Sequence, residues 1–245
     1  MDQAVADKLL LWAERYNNPK YFEEDPIAFP RRFHSMMTTI QPVLGFEGGE
    51  WRPCLQDVEI AAVFAAHFAW GRRAMIVRDC SRLFDEMMWR PYDYVMAGDW
   101  RSDSSSIHRT VKWSEVARIC KRLKEFYSSS DTLESLSADE MRTKIYGQKV
   151  DPKAANKKIW MLRRWMIRND GRVDLGLWKN SSPTDLVIPL DVHVYRQATE
   201  LGLTKRRSKD IVTARDITES FRELFPGDPA KGDFALFGYG VNSNA

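Results

Sequence analysis

Apolar positions recur along most of this chain with the period of a helix, three or four residues apart. The segment from Ala4 to Tyr16 predicts the first helix. Pro30, at a first-turn position, predicts a second helix running through Met37. Gly45 to Pro53 reads as a loop. From Asp57 to Ala69, DVEIAAVFAAHFA is apolar on nearly every side, which predicts a central, fully buried helix that Gly71 stops. Further helices are expected over 73–88, ended by Pro91, and over 114–127, with Val116, Ile119, Cys120, Leu123 and Phe126 on one side. Others follow over 136–145, 156–168, 191–201, 213–225 and 233–238. Asp99 to Ser106 reads as a turn, and the best strand signal, Asp185 to Leu190, is equally well an extended connection. The expected fold is all-α, with about ten helices, no internal repeat and no clear linker.

Two stretches draw attention within that pattern. In IPLDVHVYRQATELGL (188–203), Pro189 forces an extended approach. Asp191 then stands where a helix N-cap belongs, and Gly202 ends the helix. By local physics Asp191 is a helix cap. In AANKKIWMLRRWM (154–166), Ile159, Leu162, Trp165 and Met166 form an apolar stripe. Lys157 falls with Met161, Arg164 and Arg168 on a different, basic face, and Lys158 at the edge of the stripe.

Composition changes this picture little. The net charge is +3, from 37 basic and 34 acidic residues, so only local clustering can attract a polyanion. The three cysteines, Cys54, Cys80 and Cys120, form no metal or disulfide pattern and suggest a reducing compartment. No apolar run approaches the ~18 residues of a membrane span, and the N-terminus reads as an amphipathic helix, not a signal peptide. A cytoplasmic monomer without membrane contact is expected.

The pattern Pro-Leu-Asp-x-His-Val-x-Arg, then Leu-Gly-Leu, resembles the active-site segment of helix-hairpin-helix DNA glycosylases such as endonuclease III and the 8-oxoguanine glycosylases. The Asn-Lys start of the 156–168 helix looks most like the archaeal 8-oxoguanine branch. More of the chain resembles a bacterial family of unknown function, itself related to that superfamily. The segments are DPIAFPRRF (25–33), EIAAVFAAHFAWGRR (59–73), RRWMIRNDGRVDLGLW (163–178), IPLDVHVYR (188–196) and DFALFGYG (233–240).

The resemblance implies two interlocked helical lobes, 55–190 with a hairpin-like region at 146–168, and 1–54 plus 191–245. It implies base-excision repair of damaged duplex DNA by a glycosylase and AP lyase, oxidised purines being the substrate class suggested by the nearest branch. Lys157, with Lys158 as the alternative, would be the Schiff-base nucleophile and Asp191 its partner. Lys149, Lys153, Arg164, Arg168, His193 and Arg196 would contact DNA, and Trp160 and Phe234 would line a base pocket. Neither a metal nor a cofactor is implied, and without four spaced cysteines no iron–sulfur cluster is expected. Two departures stand out. The stretch QKVDPKAAN (148–156) lacks the superfamily's hairpin glycines, and Lys157 and Asp191 lie 34 residues apart, longer than in most members. A non-catalytic nucleic-acid-binding protein on the same fold is the alternative reading.

Overall fold

The computed structural model describes residues 1–39 and 51–243, so positions 45–50 of the expected loop lie outside the described residues. The described chain is mostly helical and divides into two compact units, Met1–Tyr21 with Val150–Ala245, and Phe22–Lys149. The divisions at 21/22 and 149/150 stand where the sequence reading had 54/55 and 190/191.

Helix α1 (Gln3–Tyr16) belongs to the first unit, with Asp2 as its N-cap. The second unit then runs through α2 (Ala28–Thr38), α3 (Leu55–Phe68), α4 (Arg73–Glu86) and α5 (Pro91–Ala97). A small antiparallel pair, β1 (Ser106–His108) and β2 (Val111–Lys112), follows, then α6 (Trp113–Tyr127) and α7 (Ala138–Glu140), which continues as a π turn over Met141–Ile145. As its all-round apolar pattern predicts, α3 is buried from Asp57 to Phe68. Burying Glu59 there requires partners. Tyr127 Oη (2.8 Å), the Leu133 N–H (3.0 Å) and Thr132 Oγ1 (2.5 Å) donate to its carboxylate. Asp57 accepts from the backbone of Cys54 and of Tyr92 (both 2.8 Å), so one carboxylate serves the starts of α3 and α5.

Two sequence expectations change in this unit. Pro91 does not end α4; it opens α5, where its missing N–H costs nothing. The break comes earlier, at Met88 and Trp89, which take left-handed φ values of 50° and 53°. The stretch read as a turn ends in β1, whose hairpin sits beside α4.

The first unit resumes with α8 (Lys157–Ile167), α9 (Val192–Glu200), α10 (Ile211–Leu224) and α11 (Gly232–Ser243), longer than the expected 233–238. Helix α1 packs against α11 so closely that a Cβ on Gly238 would strike the Tyr16 ring. The stripe Ile159, Leu162, Trp165 and Met166 is fully buried, each large side chain contributing about 1.5–3 kcal/mol. After α8 the chain folds back on its end. The N–H groups of Leu175 and Trp178 donate to the Trp165 and Met166 carbonyls at 2.7 and 2.8 Å, satisfying groups that a helix end leaves open. The extended run before α9 is tied to α10, Ile188 N–H donating to Thr218 Oγ1 at 3.0 Å.

Candidate active site

The extended entry imposed by Pro189 carries through to Asp191, whose φ and ψ are −121° and −173°. From that position Oδ1 accepts the N–H groups of His193 (2.9 Å) and Val194 (2.8 Å), the N-cap the sequence predicts. The second oxygen does something else. Oδ2 lies 3.3 Å from Nζ of Lys157, the first residue of α8. The two side chains are 34% and 29% exposed, so the pair is open to a ligand from solvent. Asn156, at φ 48°, turns the chain sharply into α8 just before this lysine. The start of a helix carries partial positive charge, so an ammonium placed there depends on an opposing carboxylate.

Beneath the pair lies a buried ionic floor. Arg164 on α8 and Arg168 at its C-cap, four residues apart, are 5% and 1% exposed. Arg164 pairs with Asp174 and Asp233; Arg168 pairs with Asp174, Asp228 and Asp170. Both guanidiniums lie over the Phe234 ring, 4.7 and 5.1 Å from its centroid. Burial opposes the Arg168 charge, but hydrogen bonds to Asp228 and the surrounding carboxylates outweigh it and hold its proton more tightly than usual. Burial pushes the Asp233 carboxyl above the usual carboxylate range, although Arg164 pulls the other way. Asp191 and Lys157 also act on Asp233 through their charges, raising and lowering it respectively, so floor and pair share one electrostatic field.

Several expected DNA contacts are corrected by this arrangement. Arg164 and Arg168 are not surface cations: the fold-back of 169–178 brings Asp174 under both of them. Phe234, 1% exposed, is core beneath two guanidiniums and offers no wall to a pocket. Trp160 is 9% exposed, with little ring surface on which a base could stack. His193 and Arg196 are exposed on α9, Arg196 lying 3.9 Å from Glu200. Lys153 is exposed in the same unit, Lys158 is half-buried at α8, and Lys149 is exposed in the other unit. The sequence reading gave Asp174, Asp228 and Asp233 no part in the site. The one available signal was two arginines four residues apart beside an apolar stripe, followed by the acid-bearing loop NDGRVD.

Among the described residues, no group of three or more His, Cys, Asp and Glu side chains could hold a metal ion, and no helix is long and apolar enough to cross a membrane. The model of the family described as protein of unknown function (DUF2400) matches residues 53–151 and 141–242. No curated protein and no solved structure matches the chain.

Proposed function

We propose that this chain, which belongs to that family of unknown function, is a DNA glycosylase with AP-lyase activity on the helix-hairpin-helix fold, acting on a damaged base. The observation that carries the reading is the 3.3 Å approach of Lys157 Nζ to Asp191 Oδ2, a half-exposed amine and carboxylate at the starts of two helices. A nucleophilic amine beside a carboxylate suits attack on a sugar carbon. The nucleotide must first leave the stack to reach them. Lys157 gives up a proton, its nitrogen bonds C1′ as the bond from C1′ to the base breaks, and the departing base takes up the proton. The Asp191 carboxylate faces the sugar as positive charge develops there. Opening of the sugar ring gives the Schiff base, and loss of a C2′ proton with cleavage of the C3′–O bond nicks the strand.

Borohydride trapping on duplexes holding an abasic site or an oxidised purine tests the reading. The wild type forms a covalent adduct and Lys157→Ala does not. No adduct from the wild type on any such duplex removes the lyase activity and leaves a nucleic-acid-binding protein. Full trapping by Lys157→Ala, lost instead in Lys158→Ala, moves the nucleophile to Lys158.

A further inference from the structure

A second cluster lies in the loop between α9 and α10, in the same unit as the pair. Residues 205–209 read Lys-Arg-Arg-Ser-Lys. Such a polar loop is ordinarily mobile, and ordering it costs conformational entropy. Here it is fastened from within. Tyr195 Oη donates to the Arg206 carbonyl at 2.8 Å. Arg206 turns inward, its Nε donating to Thr213 Oγ1 at 2.9 Å and its Nη2 reaching Asp210 at 3.2 Å. Asp210 also accepts from Ser208 Oγ (2.8 Å) and from the Thr213 N–H (2.9 Å), so its charge is spent inside the loop. Thr213 Oγ1 returns a hydrogen bond to the Ser208 carbonyl at 2.6 Å.

Inward use of Arg206 leaves Lys205, Arg207 and Lys209 exposed. Among the described residues no carboxylate pairs with any of the three. Lys209 Nζ stands 5.8 Å from the centre of the Tyr195 ring, on the helix that Asp191 caps. The Ile211 N–H donates to the Lys153 carbonyl at 3.1 Å, which binds this loop to the segment leading into Lys157 and brings the exposed Lys153 to the same place. Three cations held within five residues repel one another, and among the described residues no carboxylate pairs with them. A row of phosphates does.

We propose that the 205–209 loop, continued by Lys153, is a phosphate-backbone clamp for duplex DNA. It replaces the anchoring that the glycine-free 148–156 segment does not supply. The proposal takes from the proposed function only that the partner is DNA; it does not require the chemistry at Lys157.

The test measures binding of a short, labelled, undamaged duplex to the full chain across a salt series. The variants are Lys205→Gln/Arg207→Gln/Lys209→Gln and an equal loss of charge elsewhere, Lys8→Gln/Arg118→Gln/Lys121→Gln. Each full phosphate contact contributes about 0.9 to the slope of log K against log salt. The loop variant is expected to lose about 2.7 of that slope, about 500-fold in affinity at 0.1 M relative to 1 M salt, while the control keeps the wild-type slope. A loop variant losing less than about 0.9, or losing no more than the control, overturns the clamp. So does a wild type that does not bind the duplex. A wild type that binds with the expected slope but never traps defeats the glycosylase reading and leaves the clamp standing. One that traps while the loop variant keeps its slope does the reverse.

Discussion

Asp191 carries two roles on two oxygens, and substitution separates them. Asp191→Ala removes both. The lost N-cap costs about 1 kcal/mol, and the half-exposed ion pair adds about 0.2–1 kcal/mol, so destabilisation of about 1.5 kcal/mol is expected. Asp191→Asn keeps a side-chain oxygen for the His193 and Val194 N–H groups at the position of Oδ1. It gives up only the charge facing Lys157, so its stability is expected to fall by about 0.5 kcal/mol or less. Activity divides the other way. With the carboxylate gone, both variants are expected to lose trapping rate by about 10²-fold or more, the scale of removing one group that stabilises developing charge. Urea unfolding followed by circular dichroism gives the stabilities, and single-turnover borohydride trapping gives the rates. If Asp191→Asn is as unstable as Asp191→Ala, the cap is not what Oδ1 contributes. If Asp191→Asn traps at the wild-type rate, the charge on Oδ2 has no part in the chemistry. Either result refutes the division.

Other expectations follow from the floor and from the second unit. Arg168→Ala leaves Asp174, 0% exposed, and two further carboxylates short of a partner, and is expected to cost about 3–5 kcal/mol in urea unfolding; a variant as stable as the wild type but with a shallower salt dependence of DNA binding would return Arg168 to the surface. Glu140, hydrogen-bonded to Lys144 and then to Ser137 at the start of α7, has its pKa lowered to about 2. A lowered carboxylate pKa means stability that is complete above the ordinary value near 4.5 and is lost as pH falls toward 2. The difference in urea midpoint between wild type and Glu140→Gln is therefore expected to shrink over that window, and a difference independent of pH would show that the charge contributes nothing.

The helices were legible because their signals are local. The all-round apolar run of α3, the stripe of α8, and the cap and glycine stop of α9 each lie within a dozen or so consecutive residues. Lys157 and Asp191 were legible as residues through the resemblance alone; nothing in the sequence itself says that segments 34 residues apart place them 3.3 Å from each other. The basic face of α8 failed for the same reason. Periodicity puts Arg164 and Arg168 off the apolar stripe, but it cannot show that the chain folds back to lay Asp174 beneath them. Pro91 was misread because a proline that closes one helix and one that opens the next look alike until the break at Met88 and Trp89 is seen. Which of the four cations in the 205–209 loop turns inward is not written in the local sequence, since it depends on Tyr195, Asp210 and Thr213.

The shared carboxylate of Asp191 also bears on how such a protein can change by descent. An aspartate codon becomes an asparagine codon by a single nucleotide substitution, and asparagine caps a helix about as well as aspartate. A lineage can therefore silence the pair with Lys157 while leaving α9 and the 205–209 loop folded. Loss of reaction and loss of structure are uncoupled at this position. Under the proposed function, a descendant that binds DNA without the chemistry lies one substitution away, and residue 191 is the first position at which to distinguish the two.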